Sequence, residues 1–166
     1  MTLATHAVIG ATVASAFPVS PLFGFLAGFM SHFVLDSIPH WDYHLASSRK
    51  DEKNPLNNDL VMGRAFVSDL LKIGCDFALG FALVFAALKF GHLEDYWLSL
   101  YAGACGGVLP DFLQFAYMKL RREPLISLQR FHGWIHADLR LNDRPFVGIL
   151  SQVLVIVMGM ALLINF

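Results

Sequence analysis

The chain has 166 residues, enough for one domain, and its 12 Lys and Arg against 13 Asp and Glu give a formal net charge of −1 with His neutral. That balance offers no basic surface for nucleic acid, and two cysteines imply no disulfide framework. A composition that is 56% hydrophobic with 15 Phe, a mean hydropathy of +0.56 and long apolar runs read as an integral membrane protein rather than a soluble core.

The first apolar run covers residues 3–17. At the helical rise it spans about 22 Å, short for a hydrocarbon core of about 30 Å. No basic region leading to a small-residue cleavage site precedes it, so it is not read as a removed signal peptide. Pro18 and Pro21 bracket an uncharged turn, and the second run, 21–38, returns to make a helical hairpin. Gly10, Gly24 and Gly28 let its helices approach closely.

Residues 42–65 are charged, rich in Asn and contain Pro55, as a water-exposed connection would be. The third run, 66–90, is apolar except for Asp69, Lys72 and Asp76 in its first half. The fourth, 96–118, holds Gly103, Gly106, Gly107, Pro110 and Asp111. A second polar segment, 119–145, carries Arg121, Arg122, Arg130, His132 and His136, and the uncharged run 146–166 closes the chain. Cys75 and Cys105, inside apolar runs, read as small buried residues.

These runs predict an all-α, polytopic membrane bundle of about five helices forming a single domain over residues 1–166. A weak internal repeat matches His6…Gly10 to Asp76…Gly80, and Gly28…Asp36 to Gly103…Asp111. It suggests two hairpins of like orientation followed by a C-terminal helix. If all five runs cross, the chain start and both polar segments share one side. Eleven of the 12 Lys and Arg fall there, leaving Lys89 alone opposite. The positive-inside rule then assigns that side, with the N-terminus, to the cytoplasm.

The chemistry gathers on the same side. Residues 31–44 read SHFVLDSIPHWDYH, with His32, Asp36 and His40 four apart, so a continued helix would stack them on one face. Counted along the helical rise, His6, Asp36, Asp76 and Asp111 all fall roughly 16–23 Å from the far surface. His132 and His136 form another i, i+4 pair beside the last helix. Imidazoles and carboxylates are costly next to so much apolar sequence, and a shared metal ion would stabilise both. The candidate ligands are His6, His32, Asp36, His40, Asp111, His132 and His136. Asp76 and Asp111 are candidate catalytic carboxylates, able to take a proton from metal-activated water. Arg121, Arg122 and Arg130 are candidates to bind a substrate phosphate. One or two divalent ions suit this set, zinc first, with manganese or iron also compatible. A solvated helix end would explain His32, Asp36 and His40 without metal, and interfacial histidines would explain His132 and His136. Asp42 and Asp138 read as partners that orient imidazoles.

Thr5-His6, GFLAGFMSHFVLDSIPHW and GACGGVLPDF together resemble the membrane-bound metal-dependent hydrolases of bacterial inner membranes, of the LexA-regulated type. The central piece also resembles the G-x-x-S-H-x-x-x-D-x-x-x-H pattern of zinc-dependent phospholipase C relatives. The resemblance covers about a third of the chain, and it lacks the DHP-R-THS type segment often seen in those hydrolases. It implies metal ligation by His32, Asp36 and His40, with His6 and Asp111 matching the TH and PD motifs. It further implies a bacterial cytoplasmic membrane location and hydrolysis of a phosphoester in a lipid or lipid-linked substrate, with membrane lipids as partners. A non-enzymatic protein that binds or transports metal ions, and a structural membrane protein with interfacial histidines, are the competing readings.

Overall fold

The computed structural model describes residues 1–166 and is all-α. Its helices are α1 (Leu3–Ala14), α2 (Pro21–Asp36), α3 (Arg64–Phe90), α4 (Trp97–Leu120), α5 (Leu125–Ile135) and α6 (Pro145–Ile164). One two-residue antiparallel pairing, β1 (Ser48–Arg49) with β2 (Asp59–Leu60), ties the connection between α2 and α3.

Local chemistry sets the boundaries. Thr2 caps α1, its hydroxyl accepting from the Thr5 N–H. Pro21 and Pro145 open α2 and α6, where a missing N–H leaves no helical bond unmade. Helix α2 ends at Asp36 because Pro39 disfavours a helical Ile38. His40 therefore does not continue the helix, contrary to the stacking expected from its spacing.

Five helices match the five predicted runs. The sixth, α5, lies inside the 119–145 segment expected to be a polar connection. It is amphipathic: His132 is buried, while Phe131 and Trp134 are exposed.

Helix α4 is the hub, packed against both α1 and α2, while α3 and α6 flank α1. Glycines permit this: a Cβ on Gly10 or on Gly28 would strike the Gly103 carbonyl oxygen, and one on Gly80 would come 2.8 Å from Ala4 Cα. The two hairpins are not packed alike, since α1 and α2 pack closely along their length whereas α3 touches α4 little.

One end of the bundle gathers the chain start, both polar segments and α5. There Ser47 donates to Asp69, Tyr117 donates to the Leu56 carbonyl, and the Ala137 and Leu141 N–H groups donate to the carbonyls of Asp36 and His40. The other end joins the α1–α2 turn to α4, Ser99 Oγ donating to the Phe17 carbonyl at 2.6 Å.

Two helices, α3 and α6, are long and apolar enough to cross a membrane, and α1 and α2 are shorter apolar helices. Large apolar side chains point outward, including Leu70, Leu71 and Phe85 on α3 and Leu154, Val157 and Met158 on α6. Cys75 on α3 and Cys105 on α4 are exposed free thiols, which corrects the expectation of burial. Where both faces of a helix are apolar, sequence context does not tell inside from outside.

Candidate metal centre

Asp36, the last residue of α2, is 1% exposed and sits at the centre of a ring of imidazoles. Its Oδ2 lies 3.0 Å from His132 Nε2 and 3.2 Å from His32 Nε2, and those two nitrogens are 3.4 Å apart. Its Oδ1 lies 3.3 Å from His6 Nε2 and 3.7 Å from His40 Nε2. The Met1 nitrogen also approaches Oδ1 at 3.3 Å, and Asp42 Oδ1 at 2.8 Å.

The candidate ligands arrive from several elements. His6 comes from α1, its ring stacked on His32 with centroids 4.0 Å apart. His32 and Asp36 come from successive turns of α2, where i, i+4 spacing puts them on one face. His40 returns by the turn after α2 rather than along a helix. His132 comes from α5, held over the cluster by the Ala137–Asp36 backbone bond. Asp111, from α4, places Oδ1 3.8 Å from His32 Nε2 and is 30% exposed, the open side of the group.

The outer ring nitrogens fix the tautomers. His32 Nδ1 donates to the Gly107 carbonyl at 2.8 Å, His40 Nδ1 to the Ile38 carbonyl at 2.7 Å and His136 Nδ1 to the Ala137 carbonyl at 3.1 Å. A carbonyl can only accept, so Nδ1 carries the proton and the neutral ring presents a bare Nε2. A bare His32 Nε2 facing a carboxylate oxygen is repulsive; a second proton or a metal ion relieves it. Backbone-anchored imidazoles are how metal-binding histidines are held.

The spacing fits a small cation. Ligands about 2.0–2.1 Å from zinc stand about 3.3 Å from one another at tetrahedral angles, and the His32–Asp36–His132 triangle has edges of 3.0, 3.2 and 3.4 Å. Both His6 ring nitrogens and His40 Nε2 are buried without a hydrogen-bond partner. His32, Asp36, Asp111 and His132 form one group that could hold a metal ion, and Asp36, His40 and His136 form another.

The structure thus brings His6, His32, Asp36, His40, Asp111, His132 and His136 together, and separates the rest. Asp76 accepts from the Leu3 and Ala4 N–H groups at 2.6 and 3.4 Å, so its carboxylate caps α1 instead of facing the imidazoles. Arg121 donates to the Leu56 and Asn57 carbonyls, both at 3.2 Å, and so braces the connection. Arg122 and Arg130 are exposed. None of the three arginines bonds to the cluster.

Two further residues line the rim: Asp42, expected to orient an imidazole, and Tyr43, not singled out from the sequence. Asp42 Oδ1 lies 3.2 Å from His40 Nε2. Against the effect of burial, His40 and the Met1 amine hold its carboxyl well below the usual range. Burial, then Asp76, Asp111 and Asp42, push the Tyr43 phenol upward, so it stays a hydrogen-bond donor beside these carboxylates. The IPHWDY run carried the signal for both. Burial lowers the pKa of His136, favouring the neutral ring that metal binding needs.

The fold and site define an all-α protein with a buried His/Asp cluster able to hold a metal ion. Comparison with protein-family models, curated proteins and solved structures finds no match.

Proposed function

We propose that the chain is a multi-pass protein of the bacterial cytoplasmic membrane that hydrolyses a phosphoester of a lipid or lipid-linked substrate with a divalent metal ion, zinc foremost. The observation that carries the metal reading is the set of imidazoles anchored at Nδ1 with Nε2 turned toward Asp36. The outward apolar side chains and two span-length helices support embedding. The segments holding most of the Lys and Arg meet at the cluster's end of the bundle, which supports a cytoplasmic rim. The partial resemblance to membrane-bound metal-dependent hydrolases points the same way.

In this reading His32, Asp36 and His132 hold the ion, a two-histidine, one-carboxylate set that leaves a position open. A bound divalent ion would supply a Lewis acid and lower the pKa of its water toward neutrality. Asp111, on the open side, accepts the proton given up by the attacking water. The Tyr43 hydroxyl, kept protonated, donates to the substrate at the rim. The Gly107 and Ile38 carbonyls hold the His32 and His40 rings in place, and Phe33 packs edge-on against His32 and His132 and excludes water. Gly10 packs directly on the Gly103 backbone, closing the α1–α4 seam at that level, which favours a site open at one end over an ion path along this seam.

Metal analysis of the full chain purified in detergent tests the premise. One tightly held equivalent or more is expected, lost in His32→Ala and Asp36→Ala. Substoichiometric metal that ignores both substitutions would remove it. Release of phosphate-bearing headgroups from lipid vesicles, dependent on added zinc and on Asp111, tests the hydrolysis step.

A further inference from the structure

We infer that the site takes two divalent cations, with Asp36 as a carboxylate bridge between them. The inference rests on the metal reading above and adds a second position to it. The two oxygens of Asp36 serve different partners: Oδ2 faces His32 and His132, and Oδ1 faces His6 and His40. A single ion on Oδ2 uses one lone-pair direction. It leaves Oδ1 with the Met1 ammonium at 3.3 Å, which a second cation would displace toward Asp42, and with two imidazoles that offer it no hydrogen bond.

The second group stands on its own geometry. One donor atom each from Asp36, His40 and His136 lies within 4.8 Å of the other two. His40 is 2% exposed, its Nδ1 is tied to the Ile38 carbonyl, and its Nε2 has no hydrogen-bond partner. His136 repeats the arrangement, Nδ1 tied to the Ala137 carbonyl, with its ring 4.8 Å from that of His40. His6, wholly buried with both ring nitrogens unpartnered, lies 3.3 Å from the same oxygen. Leaving such groups buried and unpaired is costly. A second cation on Oδ1 would satisfy them, and the backbone carbonyls that hold Nδ1 of His40 and His136 leave each Nε2 bare for it.

Two ions sharing one carboxylate suit displacement at phosphorus, where one side stabilises the attacking oxygen and the other the leaving oxygen. A second ion therefore agrees with the phosphoester substrate proposed above.

Manganese(II) is the probe, because its electron paramagnetic resonance reports both occupancy and proximity. Full-length protein in detergent, stripped and reloaded, is expected to bind two equivalents per chain and to show the exchange-coupled spectrum of a carboxylate-bridged pair. His40→Ala combined with His136→Ala should bind one equivalent and give the six-line spectrum of an isolated ion. His132→Ala should do the same by vacating the other position. One equivalent in the unsubstituted protein would overturn the second ion while leaving a single-ion hydrolase intact. No binding at all would sink both readings. Two equivalents without coupling would overturn the bridge. The decisive measurements are made on the unsubstituted chain, so they do not depend on any variant folding.

Discussion

His132 Nε2 lies 3.0 Å from Asp36 Oδ2, joining a short helix near the chain's end to the C-terminus of α2 across 96 residues of sequence. The contact is what turns two polar helix ends into one buried site. Loss of an outer residue that merely orients a metal ligand typically costs about 10–100-fold in affinity, and loss of a ligand should exceed that. His132→Ala is therefore expected to weaken zinc binding by more than about 100-fold, measured by calorimetric titration. Trp134→Ala, on the exposed face of the same helix, should leave it unchanged. Equal losses in the two variants would show that α5 matters only as a lid.

Asp76 divides structure from catalysis in a single position. Its carboxylate accepts from the N–H groups of Leu3 and Ala4, so Asp76→Ala should destabilise the protein by about 1–2 kcal/mol, the range for losing a charged cap. Asp76→Asn keeps a carbonyl acceptor but cannot take a proton. It should restore most of the thermal midpoint and keep both metal content and turnover. A stable Asn variant with activity down by orders of magnitude would instead make Asp76 the base.

Much of this was legible from sequence, and the gaps have physical reasons. Apolar runs bounded by Pro18, Pro21 and Gly91 gave the long helices, since hydropathy and chain breakers act locally. The His32/Asp36 pair followed from i, i+4 spacing. His40 joined the cluster for a different reason than its spacing implied, because Pro39 ends the helix and a turn brings the ring back. Helix α5 was hidden because Arg121, Arg122 and Arg130 dominate its segment, although Leu125, Leu128 and His132 repeat at helical intervals. The Asp76 cap could not be read at all: capping across 73 residues leaves no local signature.

Glycine positions predict opposite outcomes for one substitution. A Cβ on Gly28 would meet Gly103 backbone atoms, with the Gly103 carbonyl carbon at 2.8 Å, and backbone cannot swing aside as a side chain can. Gly28→Ala should cost about 3 kcal/mol. Gly133, on α5, has nothing within 4 Å of such a Cβ, so Gly133→Ala should be neutral or stabilise by up to about 1 kcal/mol through helix propensity. Thermal unfolding in detergent compares them directly, and a Gly28→Ala protein as stable as the parent would refute the close packing of α2 on α4.

Lys119 at the end of α4 holds Asp59 of β2 at 2.6 Å and keeps its carboxyl below the usual range. A depressed carboxylate contributes stability above its unfolded pKa of about 3.9 and loses it as pH falls through the folded value. Lys119 also donates to the Leu60 carbonyl, a bond that does not titrate, so Lys119→Met should cost more stability near neutral pH than in strong acid. The pair is partly exposed, so solvent screening limits the effect to under about 1 kcal/mol. An equal loss at both pH values would assign the effect to the Leu60 bond and to packing of the Lys119 stem instead.

Cys75 and Cys105 test the membrane reading without any substitution. Both thiols are exposed on outward faces, near the middle of α3 and α4. In water such thiols would react readily with a charged maleimide, because the thiolate forms and the reagent has access. In hydrocarbon neither condition holds: the charged reagent is excluded and the thiolate is unfavourable. In intact membranes made permeable to the reagent on both sides, both cysteines should stay unlabelled, and both should label after denaturation in strong detergent. The polar segments, by contrast, should remain within reach of water: Asp138→Cys, at an exposed position, should label at once. Rapid labelling of native Cys75 and Cys105 would mean that the outward apolar faces are not covered by lipid, and the membrane-embedded hydrolase would have to be given up.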